Sequence, residues 1–431
     1  MRRIVMLVAC ALALPAAAEN ARDMALVGAH DLQGRGAYQP VIHAQGARWI
    51  AYVGHHGGTA RNALTGRSEP NGTSVLDVTD PRAPRLLAHI PGGAGGAQMV
   101  RVCDGARLPH GDPQKVYLLR SFGHSTHELW DVSAPERPAR LLAVADGLAD
   151  THKSWWECDT GIAYLVSGVP GWRSARVAQI YDLSDPLRPR HLRDFGLPGQ
   201  QPGARGPVPT GLHGPISTGA RGNRVYFGYG VNHGGVMQIV DRAALLSGAA
   251  APSEANLLAP QVARFDLPAD YGAHTALPVL GMQVGGTRRD FVFVVNEAIV
   301  SYCGETRQKV WVIEVTDERE PRAVADFNVP DGDFCRRGRF GAHASNENQP
   351  PAYAGRVLFF SWFNAGVRAV DIRDPYHPRE IGYYIPAVEG GALTNNVEVD
   401  DRGYVYIVDR AGAGLHILEL TGSARAVADL R

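Results

Sequence analysis

Apolar residues along this chain come in short bursts separated by polar and turn-forming residues, and no stretch keeps the three-and-four spacing of an amphipathic helix. Five bursts share one form. Ser74-Val75-Leu76-Asp77-Val78-Thr79-Asp80-Pro81 is followed by Pro84, and segments 129–135, 180–186, 312–317 and 370–375 repeat the wording, each with a proline shortly after. Two looser copies, 238–242 and 417–421, lack the prolines. Each burst reads as a strand ending on an acidic residue whose carboxylate can accept from the amides of the turn that follows. A second strand of β-formers precedes each one, as in Trp49-Ile50-Ala51-Tyr52-Val53 and Phe291-Val292-Phe293-Val294-Val295. A first strand lies earlier still, and a fourth follows the turn. The anchors fall at Asp77, Asp131, Asp182, Asp241, Glu314, Asp371 and Glu419, a period of about 50–70 residues. Four strands at such a period predict an all-β, seven-bladed β-propeller with four-stranded blades.

Two segments compete to close the ring. Residues 24–30 resemble the fourth strand of the other units and can complete blade 7 from the N-terminal side; residues 426–430 are the alternative. The N-terminal strand is the expectation, because the loop after it matches the other connections better.

The 43 basic and 43 acidic residues balance, which argues against a nucleic-acid partner and against a polybasic membrane binder. Arg2 and Arg3, the apolar run 4–14 and Ala16-Ala17-Ala18 read as a signal peptide, residues 1–18, leaving 19–431 as the propeller. The run is too short to span a bilayer, and no later apolar stretch is long enough. The protein is therefore expected in the periplasm or secreted. A lipidated Cys10 is the competing reading of the same segment. Removing the leader leaves Cys103, Cys158, Cys303 and Cys335. An even count in an exported chain favours disulfides over metal ligation, and no C-x-x-C pair is present. Cys103 and Cys158 hold matching positions on neighbouring blades, each followed by Asp, so Cys103–Cys158 and Cys303–Cys335 are the expected pairs.

The anchors around Asp77, Asp131 and Asp182 resemble the LVIVD-repeat family of bacterial β-propellers over the whole of 19–431. That resemblance implies the fold and little about activity. A weaker likeness is to the selenium-binding protein and methanethiol oxidase propellers, and it rests only on histidines recurring on successive blades. It implies a copper-dependent centre.

Those histidines carry the candidate chemistry. His152, His213, His274 and His343 stand at one register position in blades 3 to 6, on the innermost strand. The same alignment assigns Pro40, Ala97 and Thr394 to blades 1, 2 and 7. Four imidazoles on one arc of the channel mouth can share a transition metal, copper before zinc or iron, and an open position suits catalysis. A histidine can equally recur because it caps a strand or lines a wet channel, but three blades lack it.

A wider set of residues is expected around the same mouth in supporting or substrate-binding roles. His55, His56, His124, His127 and His233 end second strands; His43 lies deeper along a first strand. Solvated loop histidines are the alternative for each, and His124-x-x-His127 can act as a ligand pair only if its loop bends. Trp155 is a candidate apolar wall, with blade packing as the alternative, while Glu347, Asn395 and Asn396 follow the ring positions of blades 6 and 7. Nucleotide-binding, hydrolase-elbow, zincin and haem motifs are absent. Two functions remain open. One is a metal-dependent oxidoreductase or other metalloenzyme acting on a small molecule. The other is a non-catalytic envelope propeller that binds a protein or glycan partner.

Overall fold

The computed structural model describes residues 18–388 and 390–430. Residues 1–17, which hold most of the expected signal peptide and Cys10, lie outside the described residues. The rest is organised as seven antiparallel four-stranded units in chain order. Their first strands are Ala37–Gln45, Val100–Asp104, Ser154–Trp156, Leu212–Ser217, Thr275–Val284, Phe340–Ser345 and Thr394–Val399. Each of these seven touches the next, and Thr394–Val399 touches Ala37–Gln45, so the first strands form a closed cycle. A single residue pair, Phe363 with Thr394, joins the sheets of units 6 and 7.

The repeat wording translates directly into geometry. The strand-ending acids accept from the turn: Asp77 Oδ1 from Thr79 N at 3.0 Å, Asp131 from Ser133 N at 2.9 Å and Asp182 from Ser184 N at 2.9 Å. The apolar residue after each acid folds back onto the start of the second strand. Val78, Val132, Leu183, Val315 and Ile372 are all fully buried. Their amides donate to Trp49, Val116, Gly161, Asp290 and Arg356. Unit 4 lacks the prolines for a physical reason: Asp241 instead caps a short helix, Arg242–Ser247, accepting from Ala244 N at 2.9 Å. Unit 7 likewise continues into the helix Gly422–Val427.

That helix excludes residues 426–430 as the closing strand. Met24–His30 pairs with Leu415–Leu420 and completes unit 7 from the N-terminal side. An unexpected extra strand, Ala18–Arg22, adds to the outer edge of unit 6 along Arg379–Pro386. The N-terminal segment thus runs across the outer edges of two neighbouring units. The core lies between units, where facing sheets interdigitate. Phe291 and Phe293 of unit 5 pack with Leu358, Phe360 and Trp362 of unit 6 in one such layer. Both expected disulfides are present, Cys103–Cys158 and Cys303–Cys335. The first ties units 2 and 3; the second ties a unit 5 loop to the segment leading into unit 6. They point to an oxidising compartment. No helix among the described residues is long and apolar enough to cross a membrane.

Candidate functional site

The first strands deliver four imidazoles to one place. His152 and His274 sit just before their strands, and His213 and His343 sit at irregular steps in theirs. Adjacent ring centroids are 4.6 Å apart for His152–His213, 3.9 Å for His213–His274 and 4.6 Å for His274–His343. All four side chains are buried.

Hydrogen-bond partners set which ring nitrogen carries the proton. His213 Nδ1 donates to the His274 carbonyl at 3.2 Å, and His343 Nδ1 donates to the Asn395 carbonyl at 2.5 Å. His152 Nδ1 donates to Gln98 Oε1 at 2.7 Å. In these three the Nε2 lone pair is left facing the others, and His152 Nε2 lies 3.0 Å from His213 Nε2. The Nε2 of His274 is buried with no hydrogen-bond partner. Bare imine nitrogens this close repel one another unless something electron-accepting lies between them. A divalent cation meets that need.

Glu297, at the end of the second strand of unit 5, adds an oxygen. Its Oε2 is 3.9 Å from both His213 Nε2 and His274 Nε2, and its Oε1 is 3.5 Å from His343 Nε2. The ligand atoms of His213, His274 and Glu297 lie within 4.8 Å of one another. Tyr38 Oη approaches His152 Nε2 at 3.2 Å from the opposite side of the ring.

The electrostatics keep these histidines neutral. Burial, reinforced by the charge of Arg176, holds His152 and His213 well below the usual imidazole range. Burial and neighbouring imidazoles do the same for His274, and burial with Arg339 for His343. Burial raises the Glu297 carboxyl, opposed by Arg339, whose Nη2 donates to Glu297 Oε1 at 2.7 Å. Burial and then Glu297 push the Tyr38 phenol well up, so it stays a hydroxyl.

The register assigned to the other blades needs correction. In unit 1 the residue facing the histidines is Tyr38, not Pro40, because pairing slips between Ala37 and Pro40. In unit 2 it is Gln98, not Ala97. Gly96 and Ala97 leave their own unit and pair with His56 and His55 of unit 1. Gly54 permits this crossing, since a Cβ there would lie 2.0 Å from the Gln98 carbonyl oxygen. In unit 7 it is Asn395, one residue past Thr394. Asn395 Nδ2 donates to the Tyr38 carbonyl at 3.0 Å, and Asn396 meets Gln39 beside it.

Of the wider set, His56 also lines the cavity over the cluster. Gln98 Nε2 donates to its Nδ1 at 3.3 Å, and burial with Arg410 lowers it to about 3. Asn395 and Asn396 stay beside the cluster, and the remaining members go elsewhere. His55 is sealed inside unit 1 against Ser74 Oγ at 2.8 Å, and His127 against Ser167 Oγ at 2.8 Å. His124 is half exposed, so His124 and His127 do not form a pair. His233 is exposed on Asn232. His43 reaches Asp104 Oδ1 at 2.8 Å, five residues along its strand from Tyr38 and so about 16 Å away. Trp155 carries the Arg101 guanidinium over its ring at 4.7 Å. Glu347 pairs with that arginine and with Lys153 Nζ at 2.9 Å, so it is committed to a buried ion-pair group next to the His152 strand. Sequence reasoning missed Tyr38, displaced by the slip in unit 1, Gln98, hidden by the crossing of Gly96 and Ala97, and the lining arginines Arg176 and Arg410 with Arg339 behind Glu297, all three on loops where a charge looks merely solvated. The cavity measures about 290 Å³.

No family model matches the chain, and no curated relative matches it. Solved structures do. The chain is similar to Sqt1 of Chaetomium thermophilum at a TM-score of 0.56 and 11% identity, over 92% of this chain and 98% of that one. A second structure of the same protein gives 0.54 and 10%, over 92% and 99%. At such identity the likeness concerns the fold alone, and together with the sheet layout it makes this chain an all-β protein with a β-propeller fold.

Proposed function

We propose that this protein is an exported seven-bladed propeller whose histidine cluster binds a transition metal and uses it on a small molecule. The supporting observation is the set of clustered Nε2 atoms on His152, His213, His274 and His343, with the tautomers of His152, His213 and His343 set by acceptors on the other nitrogen. Glu297 completes the donor set or hydrogen-bonds to it. Imidazole donors with one carboxylate suit copper, zinc, iron and nickel, and copper stands highest in affinity for such ligands. When bound, the metal supplies Lewis-acid or electron-transfer chemistry. The chain supplies the rest: Arg339 orients Glu297, whose carboxylate can take up or return a proton at the cavity floor, and Tyr38 presents a neutral hydroxyl donor.

The test is metal analysis of untagged protein purified and then reconstituted separately with Cu(II), Zn(II) and Fe(II). About one equivalent of one metal, retained through gel filtration, is expected. Failure to retain any of the three overturns the proposal and favours an envelope binding platform. The specific observation on that side is the exposed apolar loop at the mouth, where Ile299, Val300 and Tyr302 are 42%, 43% and 69% exposed. Export is tested separately: N-terminal sequencing of protein from the host's periplasm should begin at Glu19.

A further inference from the structure

The charges around the cavity do not balance, and the imbalance sits on one residue. Arg176 is held by both oxygens of Asp150, at 2.7 and 2.9 Å. Arg339 is committed to Glu297 and to the Ala298 carbonyl, and lies over the Phe363 ring at 3.9 Å. Arg410 lines the same cavity and has no ion pair among the described residues. Its neighbour Asp409 does not pair with it and turns its carboxylate to the backbone instead. Both Asp409 oxygens are taken by backbone amides, Oδ2 by Leu393 N at 2.6 Å and Oδ1 by Ala411 N at 2.7 Å. Glu297, the acidic residue in the lining, is already matched by Arg339.

The backbone of Arg410 is fixed in place. Its amide donates to the Leu393 carbonyl, and Gly36 packs against its own carbonyl, where a Cβ would come within 2.5 Å. A partly buried guanidinium without a counter-charge, facing a small cavity, is poised for an anion, and its planar fork matches a carboxylate. Val231 and Ile299 form an apolar part of the wall. The cavity volume of about 290 Å³ corresponds to on the order of ten non-hydrogen atoms at the packing of liquid water.

We propose that the ligand of this cavity is a small monocarboxylic acid with a compact apolar body, its carboxylate bound by Arg410 and its body turned toward Val231, Ile299 and the histidines. The identity of the site as a reaction centre rests on the metal reading above, but the carboxylate preference does not, because Arg410 is not among the residues that would hold the metal.

The experiment is calorimetric titration of the full mature chain with benzoate and with benzamide, its neutral counterpart, in copper-loaded and metal-free protein. The metal-free arm separates Arg410 from direct coordination of the carboxylate. Benzoate should bind at least tenfold more tightly than benzamide in both forms. Arg410→Gln should abolish that preference while leaving metal content unchanged, and Arg410→Lys should restore part of it, which separates lost charge from misfolding. Equal binding of the two probes, no benzoate binding at millimolar concentration, or a preference that survives Arg410→Gln overturns the proposal. A protein that retains no metal but still prefers benzoate through Arg410 overturns the metal reading alone.

Discussion

Each of three imidazoles spends one nitrogen on an acceptor so that the other is available, and this makes the residue-scale predictions sharp. His213→Ala and His274→Ala should each reduce bound metal at least tenfold, measured by elemental analysis, with the melting temperature of the metal-free protein within a few degrees of the parent. His213 lines the cavity and His274 lies buried beside it, with ring centroids 3.9 Å apart, and neither belongs to an apolar layer between units. His191→Ala and His377→Ala should change nothing, since those rings meet Asp194 and Asp374 at the surface. Gln98→Leu removes the acceptor for His152 Nδ1 without touching a donor atom, and should weaken metal binding by about 10–100-fold in a chelator competition. The four histidines were legible because one register position recurs on successive units. Gln98 and Tyr38 were not, because a strand crossing and a bulge shift them by one and two residues from where counting places them; Asn395 was expected just past the ring position of unit 7 and is the residue that meets His343.

At the scale of elements, the turn chemistry is written openly in the chain and the exceptions to it are informative. Where prolines follow the acid, a turn leads directly into a fourth strand; where they are missing, after Asp241 and Glu419, a short helix follows. The strand pairing of Ala18–Arg22 with unit 6 had no counterpart in the repeat, so no alignment of units could reveal it. The disulfides could be assigned because Cys103 and Cys158 occupy matching positions on adjacent units. Replacing the Cys103–Cys158 pair by serines should lower unfolding free energy by about 2–4 kcal/mol, read from denaturant titration, with little change in metal content. A loss below 0.5 kcal/mol would show that the closed cycle of first strands already restrains these units.

For the whole molecule, two buried carboxyls near the channel axis shape the pH dependence of stability in opposite senses. Burial alone would raise Glu347, but Lys153 and Arg101 outweigh it and hold it at about 2. Its folded value is below the ordinary 4.5, so its contribution is complete above that value and fades as pH falls toward 2. Burial and then the charge of Glu347 raise Glu398 to about 8. Its contribution is complete below 4.5 and is lost as pH rises toward 8. Melting temperature against pH should therefore fall on both sides. Glu398→Gln, which copies the neutral acid, should flatten the alkaline decline. Glu347→Gln should lower stability at neutral pH and flatten the acid one. A further consequence belongs to synthesis. The strand that completes unit 7, Met24–His30, is made before any of the first strands, and its partner, Leu415–Leu420, only after all seven of them. The ring cannot shut before Leu415–Leu420 exists, so a growing chain carries an open seam while the intervening units are made, and that vulnerable interval is set by translation time as much as by the stability of any blade.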